Sequence, residues 1–253
     1  MTHRFLCTAC GKCCYGQIPL TVQDAWVHAK RFPLAMVWSP VREGSKDFKS
    51  VARFGTVVSM PKAKNLAVLI VPTAYLPPTF ACPELTAENL CAIQLQKPAR
   101  CRTMPFYPYR EEQFQAELLA PRPGWLCDIS AAAPIVFADK QIVERDDFEF
   151  ELQALQEQHA IILRYAEYMF KYTPQLRESL AKVAAKPKAG QVVTSLSSFL
   201  TAIRHPDTKS IAAQQLPLLQ NYADQTAGQS DLHDFHRNYL QWVKEMRFLV
   251  DRV

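Results

Sequence analysis

The chain has 253 residues, 49% of them apolar and 21% charged, with a net charge of +5. That balance is ordinary for a globular protein with one large core or two smaller ones. A mild positive charge without a basic stripe gives no nucleic-acid footprint, and no run approaches the roughly 20 apolar residues of a membrane span.

The chain opens on Phe5-Leu6-Cys7-Thr8-Ala9-Cys10-Gly11-Lys12-Cys13-Cys14, with no apolar segment of the secretory kind before it. A cytoplasmic location with reduced thiols is therefore expected. Thr21 followed by Asp24 predicts a capping box, with Asp in place of the usual Glu, and a helix running to Pro33. Short strands are predicted at Val57 to Met60, Leu66 to Val71, Ala92 to Leu95 and Gln113 to Leu119. The seven glycines lie too far apart for a G-x-G-x-x-G or Walker loop, which argues against Rossmann dehydrogenases, P-loop enzymes and Rossmann-like methyltransferases.

The chain changes character near residue 146. All eight cysteines and 14 of the 18 prolines precede it, so little regular core is expected there and a metal would supply part of the folding energy. Beyond it, apolar residues recur at spacings of three and four. Helices are predicted over Phe148 to Tyr172, Gln175 to Ala185, Gln191 to Arg204, Thr208 to Asp224 and about Ser230 to Val253, the last capped by Ser230 or Asp231. The basic stretch Lys182 to Lys188 reads as a solvated linker. The expected architecture is α+β: an irregular, proline- and cysteine-rich metal-binding region with short strands over 1–146, then an α-helical bundle over 147–253.

Four thiols within eight residues define the chemistry. A C-x2-C pair lets two sulfurs reach one metal across a tight turn, and the amides between them can donate to the thiolates. Three cysteines at that spacing are the ferredoxin run for a four-iron cluster, whose further ligand beside a proline comes from elsewhere. Cys82-Pro83 or Cys101 fits that part. The candidate metal ligands are Cys7, Cys10, Cys13, Cys14, Cys82, Cys91, Cys101 and Cys127. A four-iron–four-sulfur (4Fe-4S) cluster and zinc both accept four thiolates, and eight cysteines divide into two such sets. Structural disulfides are not expected in a reducing compartment.

These residues resemble the YkgJ-like CxxCxxCC cysteine-cluster family, described as zinc- or iron-chelating domains. The first block reads Phe5, Cys7, Cys10, Gly11, Cys13, Cys14, then Ile18-Pro19-Leu20-Thr21 and Asp24. The second reads Cys82, Cys91-Ala92-Ile93, Lys97-Pro98, Cys101-Arg102 and Pro105, with Cys127 last; Gln94 and Lys97 replace a usual tyrosine and arginine. The resemblance covers about residues 5–130 and implies metal binding in a structural, redox or metal-handling role. Flagellin lysine N-methylases are distantly similar in the cysteine region, which gives the alternative reading of an S-adenosylmethionine-dependent enzyme. Nothing in the sequence marks that cofactor or a lysine substrate. The partners expected are a metal ion or cluster and a protein bound through the helical half, with no nucleic acid and no membrane.

Other candidates have structural readings. His233 and His236 at i, i+3 lack the H-E-x-x-H arrangement, with Asp234 directed elsewhere, and His3 is a minor extra ligand. Asp146, Asp147, Glu149 and Glu151 suit a helix start. Arg100 and Arg102 flank Cys101, either tuning a thiolate cluster or forming surface ion pairs. Phe106, Tyr107 and Tyr109 either shield a cluster or pack a core.

Overall fold

The computed structural model describes residues 2–60, 64–186 and 190–252, so Lys188 of the basic stretch and Val253 of the last predicted helix lie outside the described residues. Strand β1 (Thr2–Arg4) precedes the cysteine run and β2 (Ile18–Pro19) follows it. Helix α1 (Val22–Val27) starts on the predicted capping box: Thr21 Oγ1 accepts from the Asp24 amide at 3.0 Å, and Asp24 Oδ2 accepts from the Thr21 amide at 3.2 Å. The helix ends at Val27, and only turns continue it to Pro33.

Strand β3 (Leu34–Arg42) leads through helix α2 (Phe48–Phe54) and β4 (Thr56–Val58) to β5 (Leu66–Ala74). β5 is the spine of an antiparallel sheet: β2 and β4 lie along one edge of it, β3 along the other. The outer place beside β3 goes to β8 (Val192–Ser195), from the far half of the chain. After β5 come the short helix α3 (Ala99–Thr103) and strands β6 (Ile135–Ala138) and β7 (Gln141–Ile142), which form a second small sheet with β1. Helices α4 (Asp146–Glu157), α5 (His159–Tyr172), α6 (Gln175–Ala184), α7 (Leu196–Ile203), α8 (Thr208–Thr226) and α9 (His233–Arg252) complete the fold.

Alternation along β5 explains its continuous apolar run. Leu66, Val68 and Ile70 join the main core with α5–α9, whereas Ala67, Leu69 and Val71 meet α2, Tyr109 and Leu155 of α4 on the opposite face. Period-two burial on both faces requires apolar residues at every position. The main core thus draws on both halves of the chain, and α5–α9 cover the sheet rather than enclosing a core of their own. The fully buried Gln215 of α8 ties the two halves together. Its Oε1 accepts from the Leu34 amide at 2.8 Å, and its Nε2 donates to the carbonyls of Ala29 (2.6 Å) and Phe32 (2.9 Å). A third cluster, Phe106, Leu119, Phe137, Ile142 and Phe148, fixes the small sheet.

Several sequence-based expectations are corrected. The segments expected as strands at 92–95 and 113–119 form 3-10 turns at Gln94–Gln96 and Glu112–Leu119. In the second, buried Gln115 bonds back to Tyr107 and Arg110 and folds the segment onto its predecessor. The helix predicted over 148–172 breaks at Gln158, whose side chain caps the Val22 amide at 2.7 Å. The segment 191–204 divides into β8 and α7, with Ser195 Oγ accepting from the Ser197 amide at 3.1 Å. Among the described residues no helix is long and apolar enough to cross a membrane.

Candidate functional site

Three backbone pairings gather the cysteines. Leu6 and Asp128 exchange amide–carbonyl bonds of 2.8 and 2.9 Å, and Thr8 Oγ1 donates to the Leu126 carbonyl at 3.0 Å, so the start of the cysteine run lies along the Cys127 segment. The Cys82 amide donates to the Cys14 carbonyl at 2.7 Å, and the Gly16 amide to the Phe80 carbonyl at 3.0 Å. The chain then turns back on itself, with Leu85 bridging Cys91 and the Ala92 amide donating to the Glu84 carbonyl at 2.8 Å. Cys101 arrives on α3, whose first amide, from Ala99, donates to Asp24 Oδ2 at 3.1 Å. One carboxylate therefore closes the cap of α1 and anchors the helix that carries Cys101.

Within the run, Gly11 has φ +72°, and a Cβ there would lie 2.8 Å from Asn89 Oδ1. Only glycine meets both conditions. The turn sets Cys13 Sγ and Cys14 Sγ 3.9 Å apart. Their hydrogen bond pushes the Cys13 thiol up and holds Cys14 below its ordinary value. Burial first, and neighbouring thiolate charge after it, raise Cys82 to about 11 and Cys101 to about 12. Cys82, Cys91 and Cys101 all pack against the main core. The Leu126 and Lys12 amides donate to the Cys10 sulfur and lower its pKa.

Neighbouring thiolate charge reaches Cys14 from Cys82, Cys101 and Cys91 and reaches Cys101 from Cys82, Cys13 and Cys91, while Cys127 feels Cys10, Cys7 and Cys13. All eight cysteines are free. As the side chains stand, no three His, Cys, Asp or Glu among the described residues converge into a set that could hold a metal ion.

The remaining candidates are placed elsewhere. Exposed His233 lies 3.9 Å from Asp234, which corrects the expectation that Asp234 points away from it. His236 Nδ1 meets the Ala223 carbonyl at 2.9 Å, in the packing of α9 on α8. His3 packs edge-on against Phe137. Asp146, Asp147 and Glu149 do occupy the first turn of α4, but Glu151 is buried and pairs with buried Arg100 at 3.3 Å. Arg100 also donates to the Phe106 carbonyl and lies 4.8 Å over the Tyr107 ring, so its pair is not at the surface. Arg102 pairs with exposed Asp147. Phe106 belongs to the third core cluster, and Tyr109, with Tyr107 against it, to the second.

No protein-family model, curated protein or solved structure gives a match to this chain.

Two features escape sequence reasoning. Buried His28, at the C-cap of α1, leaves Nδ1 without a partner among the described residues; a lone histidine in a helix carries no signal of burial. A groove of about 1060 Å3 also lies beside the cysteines, with Cys13 and Cys101 in its wall. Its other residues come from segments far apart in sequence.

Proposed function

We propose that the chain is a metal-binding protein of the YkgJ-like cysteine-cluster type. In this reading it holds an iron–sulfur cluster, 4Fe-4S, or zinc through its clustered cysteines in a structural, redox or metal-handling role, in the cytoplasm. The observation that carries the reading is the meeting of Cys14 and Cys82 across a 2.7 Å backbone bond, with Cys91 and Cys101, from separate segments, packed like Cys82 against the main core. The two sequence blocks behind the family resemblance are thereby joined, and Asp24 of the first block anchors the second.

The donor chemistry fits. Thiolates suit both zinc and iron–sulfur clusters. Side-chain rotation is still required, because no three donors converge as they stand. A change of one staggered well about χ1 moves a thiol sulfur by about 3 Å. Cys82 and Cys101, high in pKa while protonated, release protons on binding, so affinity rises with pH. A bound cluster supplies one-electron chemistry, whereas zinc supplies a fixed structural node. The chain's own part is to hold the ligands, to donate amides to Cys10, and to seat Cys82, Cys91 and Cys101 against an apolar core that limits water.

The test is anaerobic purification with a visible spectrum and assays of iron, sulfide and zinc. Metal in stoichiometric amount is expected, falling by at least half in Cys14→Ser or Cys101→Ser. Metal-free protein from metal-replete cells, with no uptake on reconstitution, would overturn the proposal.

A further inference from the structure

The groove beside the cysteines opens between the sheet face that carries Leu69 and the loops of the cysteine region. Its volume, about 1060 Å3, stands at the upper end of small-molecule sites, which run to roughly 300–1,000 Å3. The charges on its wall define what it would take. Arg110 is neutralised by Glu117 at 3.1 Å and Asp47 at 3.7 Å, and Arg100 by Glu151. Lys12 and Arg122 line the same groove and have no ion-pair partner among the described residues. The wall is therefore cationic in excess.

Two further features give shape to that excess. Trp125 lies under the Arg122 guanidinium at 5.3 Å, and Tyr15 is 44% exposed, so the groove presents ring faces as well as charge. Arg100, only 4% exposed, also lines the groove, and its Nε has no hydrogen-bond partner among the described residues. A buried guanidinium donor is rarely left unpaired, and a ligand oxygen reaching that depth would satisfy it.

We propose that this groove binds an anionic small molecule with a planar ring, its charge between Lys12 and Arg122 and its ring against Trp125, beside Cys13 and Cys101. The site is built from the groove's own walls, so it stands or falls separately from the metal reading. Charge attraction brings the anion in, and stacking on an indole under a guanidinium orients it.

The test is titration of the purified full chain, with its metal content as isolated, with the anionic ring dye 8-anilinonaphthalene-1-sulfonate. Dye emission and energy transfer from tryptophan are both read. One saturable site is expected. Lys12→Glu and Arg122→Glu should each weaken it about five-fold or more, the scale of one lost charge contact. Lys171→Glu, on α5, should leave it unchanged, and Trp125→Phe should keep binding while lowering the energy transfer. Circular dichroism checks the fold of each variant, and Lys12→Gln or Arg122→Gln replaces any variant that unfolds. Absence of a saturable site, or equal affinity in the wild type and both groove variants, would overturn the proposal.

Discussion

Arg100 and Glu151, 4% and 2% exposed, form the most deeply buried ion pair among the described residues. Burial pushes the Glu151 carboxyl up and the guanidinium opposes it. Arg100→Leu alone leaves an uncompensated buried carboxylate and should cost about 3–5 kcal/mol by urea denaturation, whereas Arg100→Met with Glu151→Leu should recover most of it. His28 offers a pH test. Burial lowers its pKa below 6.5, Asp24 and Glu84 pull it up, and Arg31 pulls it down. The unfolded chain therefore binds the proton more readily. Stability is full above pH 6.5 and falls below it, by at most about 1.4 kcal/mol per pH unit. Urea midpoints at pH 7.5 and 5.5 should show a smaller drop for His28→Gln than for the wild type.

At the scale of elements, α1 and α8 position the cysteine region. Thr21→Ala removes a cap and should cost about 1 kcal/mol. Asp24→Ala should cost more in the same thermal or urea assay, because it also frees the Ala99 amide at the start of α3. Gln215→Leu orphans the Leu34 amide and two carbonyls, and should cost about 3 kcal/mol by urea denaturation. The helices of the second half were readable because their apolar spacing is regular, and the Thr21–Asp24 box was readable because its signal is local. β3 was not. Pro40 argues against an interior strand, yet β8 covers β3 only from Ala35 to Trp38, so Pro40 lies where that edge is open. β8 itself is only four residues long and runs straight into a helix, and its pairing partners are 154 to 160 residues away, beyond the reach of any local pattern. Glu151 matched a helix-start pattern, and only its buried partner Arg100 shows its other role.

At the scale of the whole molecule, the fold does for the cysteines what local sequence cannot. The crowding of Cys7, Cys10, Cys13 and Cys14 is visible in the sequence, but which end of the run meets Cys82 and which meets the Cys127 segment depends on how residues 80–101 and 126–128 return to it. Cys82, Cys91 and Cys101 rest on a core shared by both halves of the chain. Removing metal should therefore loosen the cysteine loops first and leave the sheet and α5–α9 folded, which hydrogen exchange before and after chelation would read. The central claim is coordination by cysteine sulfur. X-ray absorption at the edge of the bound metal tests it most directly: the account predicts four sulfur neighbours at about 2.3 Å, and a shell dominated by oxygen or nitrogen would contradict it.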